Sequence, residues 1–406
     1  MGWRRCLQWV GPGVVAGASD VDPTTVATMA VIGAGTVFGL GWLTLSLFPI
    51  IAVIQALSTQ VGLAGGRDLP TIVADSQSQL MRWPFVLSIL VVNVVTIAAD
   101  LEAGAAALGL LVDADWRWFV LPLSVVLLTL LLAAGYHQVQ RALKYLLLCL
   151  LAYVVATVRA QPDWGEVVRG SLVPHFPLNG EYIADALSLL GTTLTSYVYI
   201  WQTIGQAEEQ QPWRLYRTRQ IDSAVGSFFA VAIMWFILVA TGSTLGVDHL
   251  RVDTAAQAAQ ALRPVAGDLA GALFALGLLA SAVVALPVIM ATTAYVTGAQ
   301  LKWRRGLSLR ISEAPLFYGA LIAATVLGTV VTFSGVAPIR LLFVAGIVGG
   351  VATPIGLIML LRVAGDRKLM NDRPAARPLL VAGWVVTTLI TTLGLAYIVQ
   401  QLVSHG

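Results

Sequence analysis

Residues Gly17–Thr28 read GASDVDPTTVAT. They place Asp20, Asp22 and Pro23 inside an apolar run that extends from about Trp9 to Val37. Two carboxylates in such a run need a reason, because a charge at the centre of a bilayer costs roughly 2.5–3.5 kcal/mol even on the most lenient scale. Pro23 has no backbone N–H and disfavours helix at Asp22, so the helix is expected to break here into two halves. Asp22 then stands as the N-cap of the second half, with Pro23 in its first turn. Capping uses one carboxylate oxygen. The other is left for a cation, helped by carbonyls freed at the end of the first half-helix, whose negative dipole end suits positive charge. Asp20 is open to direct coordination or to a vestibule role.

The rest of the chain is consistent with a membrane setting. Of 406 residues, 58% are hydrophobic and 11% charged, and the mean hydropathy is +0.82. A soluble protein does not tolerate this composition, so the fold class is an all-α polytopic membrane protein in the lipid bilayer of the cell membrane, with no soluble domain and no nucleic-acid partner. At about 20 apolar residues per span, eleven transmembrane helices are expected. They lie at 9–34 (interrupted), 36–63, 84–110, 117–136, 142–158, 182–207 (interrupted), 223–245, 268–298, 315–334, 338–363 and 379–402. Arg4 and Arg5 precede the first run as in a signal peptide, but that run holds two acids and no convincing small-residue cleavage site, so it is kept as a span. Cys6 and Cys149 lie far apart, without metal-type spacing, and are expected neither to pair nor to ligate.

Loop charges orient the bundle, since cytoplasmic loops collect Lys and Arg. With the amino terminus inside, only Arg117, Arg159, Arg169, Arg251, Arg263 and Arg340 fall outside, and the rest of the 24 Lys and Arg lie in the cytoplasm. The carboxyl terminus is then expected outside.

A second interruption, Leu190-Gly191-Thr192-Thr193-Leu194-Thr195-Ser196-Tyr197, clusters a glycine and four hydroxyls half-way through the sixth span. Hydroxyls alone are weak signals, because Ser and Thr bond back to helix carbonyls or join membrane helices. Position makes them informative. Spans one and six are equivalent in two inverted five-helix repeats, and matched interruptions mark the substrate site of secondary transporters. The single transmembrane domain, 1–406, divides on this basis into a first repeat at 9–158, a second at 182–363 and an additional helix at 379–402.

Asp100 and Glu102 are further acids within a span, the third. The four histidines, His137, His175, His249 and His405, fall in loops or at the chain end, so none is placed as a buried proton relay. An enzyme is disfavoured: the chain has no His-Glu-x-x-His zinc motif, no Gly-x-Ser-x-Gly nucleophile and no cysteine–histidine pairing. Gly13 with Gly17, Gly35 with Gly39 and Gly346 with Gly350 have GxxxG spacing, read as helix packing within a monomer.

The stretch GPGVVAGASDVDPTTVATMAVIGAGTVFGLGW resembles the first span of the Nramp family of divalent-metal transporters, where the break reads Asp-Pro-Gly-Asn. The resemblance continues in NVVTIAADLEAGAAALGLL. It takes a form similar to the Nramp-related magnesium transporter branch in LKYLLLCLLAYVVATVRAQPDW, in GTTLTSYVYIWQTIGQAEE and at Ala255 to Gly267. It implies a LeuT-like fold of inverted five-helix repeats with helices 1 and 6 broken. It also implies a metal site in which Asp22 stands at the family's metal-binding Asp and Thr25 replaces the ligating Asn. In the sixth span, where the family reads Met-Pro-His and then Asn, alignment on Tyr199 puts Leu194, Thr195, Ser196 and Tyr197 at those four positions. Gly191 falls where a backbone carbonyl binds metal.

The metal set implied is therefore Asp22, Thr25, Gly191, Leu194, Thr195 and Ser196, with Asp20, Asp100 and Glu102 lining a vestibule or a proton pathway. No cofactor is implied beyond the transported ion. Thioethers favour softer metals, and this set has none; carboxylate, carbonyl and hydroxyl oxygens suit Mg2+, Ca2+ or Mn2+. Mg2+ leads and Mn2+ follows. Proton-coupled Nramps carry Asp and, three residues on, Glu in the third span; here Ala103 follows Asp100 at that spacing and Glu102 is displaced by about 100°. Uncoupled uptake is the expectation, and a proton-coupled Mn2+/Fe2+ symporter the alternative.

Overall fold

The computed structural model describes residues 20–133, 151–177, 179–208, 213–247, 252, 254–259, 267 and 270–405. Among these there are fifteen α-helices and no strand. The first half of span one, most of span five, Cys6, Cys149, His137 and His249 lie outside the described residues.

Helix α1 (Pro23–Thr36) starts where the proline requires. Asp22 is extended (φ −77°, ψ 171°), caps the helix and precedes Pro23 in the first turn. Helix α2 (Gly41–Gly65) ends on Gly66, which takes the left-handed conformation (φ 63°) that a residue without Cβ adopts freely. Asp68 caps the short α3 (Leu69–Ser76). Helix α4 (Gln79–Val112) has 34 residues, about 51 Å at 1.5 Å per residue, well beyond a hydrocarbon core of about 30 Å. Helices α5 (Arg117–Ala133), α6 (Ala152–Arg159) and α7 (Trp164–Leu172) follow.

The sixth span is two helices, α8 (Gly180–Thr193) and α9 (Ser196–Glu208), so it breaks at Leu194-Thr195 inside the expected interruption. Then come α10 (Tyr216–Thr241), extended by a π-helical turn at Gly242–Gly246, and the short α11 (Ala255–Ala259). The bundle is completed by α12 (Ala270–Gln300), α13 (Pro315–Thr332), α14 (Pro338–Gly365) and α15 (Arg377–His405).

Eight spans among the described residues are long and apolar enough to cross a membrane: α2, α4, α8 with α9, α10, α12, α13, α14 and α15. Helix α5 is a shorter apolar helix. Helices α1 and α6 are the described parts of spans one and five, so the eleven-span layout is matched wherever it is described.

Helix α4 is the central post, packed on α12, α14, α13 and α5, while α1 is surrounded by α10, α14, α8 and α4. Helix α15 runs along α14, α8 and α2. It exposes Val381, Val385, Val399, Leu402 and Val403, the apolar outward face that suits lipid.

Close approach of α8 to α14 depends on glycine. A Cβ on Gly191 would overlap the carbonyl of Gly346 and the backbone nitrogen of Gly350, and one on Gly349 would stand 2.8 Å from the Gly191 carbonyl oxygen. Gly346 and Gly350 therefore do act in helix packing. Gly35 and Gly39 do not: they border a cavity, and a Cβ on Gly35 meets nothing within 4 Å.

Loops that the charge pattern assigns to one side come together. Arg67 pairs with Asp75 at 2.9 Å, Arg305 with Asp68 at 3.1 Å and Lys302 with Asp75 at 4.0 Å. On the opposite face, Trp42 meets Phe176 edge-on and the Tyr182 hydroxyl donates to the His175 carbonyl at 2.5 Å.

Candidate functional site: the meeting of two helix breaks

The two interruptions face each other in the interior. Asp22 is fully buried, and both its carboxylate oxygens are engaged. Oδ1 accepts from the Thr25 backbone N–H at 2.7 Å, which closes the N-terminus of α1. Oδ2 accepts from the Tyr197 hydroxyl at 2.9 Å, across from the first turn of α9. One side chain thus ties the break of span one to the break of span six.

Thr25 makes the second bridge. Its hydroxyl donates to the Asp20 carbonyl at 3.0 Å and lies 3.0 Å from the Thr192 hydroxyl of α8. Since the Thr25 proton goes to Asp20, Thr192 is the donor in that pair. One turn further along α1, Thr28 is 3.4 Å from Ser188, whose hydroxyl also reaches the Phe343 carbonyl of α14 at 3.2 Å. This seam of hydroxyls leads from Asp22 towards a cavity of about 720 Å³ lined by both helices, with Glu181 and Asp185 among its walls.

Carbonyls released by the breaks are taken up by hydroxyls from neighbouring helices. Ser281 of α12 donates to Val21 O at 2.6 Å, and Thr353 of α14 donates to Leu194 O at 3.1 Å. A backbone group left unpaired in the membrane would cost several kcal/mol, so these partners make the breaks tolerable.

The acids differ in their surroundings. Asp100 of α4 accepts from the Thr24 hydroxyl at 2.9 Å, which joins the third span to the first break, while its Oδ2 is unpaired. Glu102 is buried with both oxygens unpaired. The two point to different surroundings, as a two-residue step of about 200° around the helix implies. Asp20 is fully buried, and neither carboxylate oxygen has a partner.

Not every residue of the expected set converges on Asp22. The Ser196 hydroxyl is directed at Asn93 Oδ1 of α4, at 3.4 Å, and Asn93 in turn donates to Thr293 of α12 at 2.9 Å. Thr195 donates to the Thr192 carbonyl at 3.4 Å. Leu194 is buried beside a void of about 10 Å³ with Ile51, Ile54, Gln55 and Tyr199. Gly191 lies against α14 with its carbonyl towards Gly349.

Conversely, Tyr197 and Thr192 stand at the centre although neither belongs to the expected metal set. Thr192 carries a signal in hindsight: Ser188 and Thr192 are four residues apart, as Thr25 and Thr28 are three apart, so both pairs line one helix face. No group of three or more His, Cys, Asp or Glu is arranged to hold one metal ion among the described residues. The oxygens gathered here are carboxylate, hydroxyl and phenol.

Comparison with known proteins fits this architecture. The family model described as Nramp, natural resistance-associated macrophage protein-like, matches residues 13–400. The chain belongs to the Nramp-like family. Among curated relatives, the divalent metal cation transporter MntH of Deinococcus radiodurans is 27% identical, with 99% of this chain and 92% of the relative covered. Among solved structures, the manganese transporter of Eremococcus coleocola superposes with a TM-score of 0.76 at 20% identity, covering 98% of this chain and 87% of that one. Mhp1, a nucleobase-cation-symport-1 family transporter, has a TM-score of 0.62 at 15% identity, covering 95% and 90%. These likenesses establish the LeuT-like fold with its first and sixth helices broken. Nramp family members are transporters, so the membrane-enzyme alternative falls away.

Proposed function

We propose that this protein is a secondary transporter that carries divalent metal cations into the cytoplasm by alternating access, with Mg2+ the leading substrate and Mn2+ the second. Its similarity to relatives such as MntH, described as divalent metal cation transporters, supports the class of cargo. The observation that carries the site is the Asp22 carboxylate, buried where two broken helices meet and held by the Thr25 N–H and the Tyr197 hydroxyl. Hard oxygen donors suit Mg2+ and Mn2+, and Mg2+ dehydrates reluctantly, so hydroxyls can hold it through retained waters.

In this proposal Asp22 and Thr25 face the ion, Gly191 sets the approach of α8 by its packing, and Leu194, Thr195 and Ser196 frame the opposite break. Residues 9–158 and 182–363 are the two inverted repeats, and 379–402 is the additional helix. The protein acts as a monomer with its amino terminus in the cytoplasm and its carboxyl terminus outside. The Thr24–Asp100 hydrogen bond favours one second reading, a proton-coupled Mn2+/Fe2+ symporter, because it places a buried acid one residue from the break's proline.

Flux into proteoliposomes loaded with a pH dye separates the two. Mg2+ entry without acidification supports uncoupled transport. Mn2+ entry with acidification replaces it with the symporter, and no divalent flux refutes both. Asp22→Asn sharpens the assay: the amide oxygen still caps Thr25, while the charge and the oxygen that accepts from Tyr197 are lost, so flux should nearly vanish in a folded, inserted protein. Parental flux in that variant refutes the site.

A further inference from the structure

Of the two carboxylates in the first break, Asp22 is the one the fold has already used. One oxygen closes α1 and the other receives the Tyr197 hydroxyl. It also stands at the positive end of a 14-residue helix, whose dipole opposes an approaching cation. Asp20 is different. It is fully buried, its backbone carbonyl is fastened to Thr25, and both of its carboxylate oxygens are without a partner.

Burial of a charge without a partner is among the most costly arrangements in a protein. No Lys, Arg or His is among the buried residues described, so no basic side chain there offsets Asp20. A carboxylate with two free oxygens, held by its own main chain beside the Asp22 cap, is arranged to receive a cation rather than to support the fold.

We propose that Asp20 is a direct ligand of the transported divalent ion and shares it with Asp22, which deepens the transport function proposed above and rests on it. Two carboxylates present a charge of −2 to an M2+ ion, so the complex is neutral in a medium that penalises net charge. The added anionic oxygens also offset what the rest of the two breaks lacks. Leu194 has no lone pair to offer, and the Thr25 hydroxyl is already committed to Asp20 O and Thr192. Selectivity follows: the hard carboxylate pair favours Mg2+ and Mn2+ over softer cations of the same charge.

The test is Asp20→Asn, which keeps size and polarity and removes the charge. Three quantities are read: the melting temperature of the purified protein without divalent ions, its rise on Mg2+ titration, and the KM for Mg2+ flux in proteoliposomes. A ligand role predicts an ion-free melting temperature at or above the parent's, because an unpaired buried charge is gone. It also predicts a Mg2+-dependent rise that is largely lost and a KM at least tenfold higher, with Asp20→Glu recovering part of both. A structural role predicts a lower ion-free melting temperature with KM unchanged, and that outcome overturns the proposal, as does an unchanged KM by itself. Asp20→Ser is read the same way if the asparagine variant does not fold. Loss of the transport function itself is distinguishable, since the parent protein would then show no divalent flux at all.

Discussion

Removing one hydroxyl, in Tyr197→Phe, tests whether the two broken helices are joined through Asp22. The bond removed is 2.9 Å long, buried at both ends, and directed at a carboxylate oxygen whose sister oxygen is occupied by the Thr25 N–H. A hydrogen bond to a charged group contributes about 1.5–3 kcal/mol in soluble proteins. Side-chain bonds measured between membrane helices average about 0.6 kcal/mol with a maximum near 1.7, because the unfolded reference in a membrane also finds partners. The charge at Asp22 places this bond towards the upper end, so a coupling of about 1–2 kcal/mol is expected. The assay is a double-mutant cycle of parent, Tyr197→Phe, Asp22→Ala and the double variant, by equilibrium unfolding in mixed micelles. Asp22→Ala also loses the cap, about 1 kcal/mol, but that loss is common to both arms and cancels. Independent sites add to within about 0.3–0.5 kcal/mol. A coupling inside that range would refute the bridge between the breaks.

Gly191→Ala should cost at least about 3 kcal/mol, the upper end for overpacking, because the obstacle is backbone of Gly346 and Gly350 and not a movable side chain. Near-parental thermal stability of that variant would show that α8 and α14 are not in this contact. Leu194→Met is close to isosteric and should cost under about 1.5 kcal/mol, while adding a soft sulfur donor. Calorimetry should find tighter Cd2+ binding, and flux should find weaker Mg2+ transport. Unchanged Cd2+ affinity, in this variant and in the double variant with Thr25→Asn, would mean that Leu194 faces away from the ion, towards Ile51 and Ile54.

Breaks in the chain were legible from sequence because their causes are local. Pro23 lacks an N–H wherever it sits, and Asp22 beside it makes a cap; α1 starts at Pro23 with Asp22 extended. The interruption at 190–197 was legible as a region and not as a point: composition marked eight residues, while the chain breaks at Leu194-Thr195. The shared side of two loops was legible as well, since Arg67, Lys302 and Arg305 meet the acids Asp68 and Asp75 on one face.

Site membership was harder to see, and the reason is geometric. Of the nine residues singled out by sequence, seven lie at the two breaks and Asp100 and Glu102 lie on α4, but which of their oxygens meet depends on how α1, α4, α8 and α9 are rotated against one another. Ser196 and Tyr197 are neighbours in the chain and point to Asn93 and Asp22 respectively. A step of one residue turns a helix by about 100°, so adjacent hydroxyls serve different helices and no local pattern says which serves the site.

Hydrophobic composition, the proline and the buried acids by themselves determined a membrane bundle with a charged break in its first span, because each acts through the bilayer or through its own backbone. Tertiary structure alone decided that Asp22 is spent on Thr25 and Tyr197 while Asp20, two residues away, keeps both oxygens free. Sequence counts carboxylates, but only packing decides which of them finds a donor.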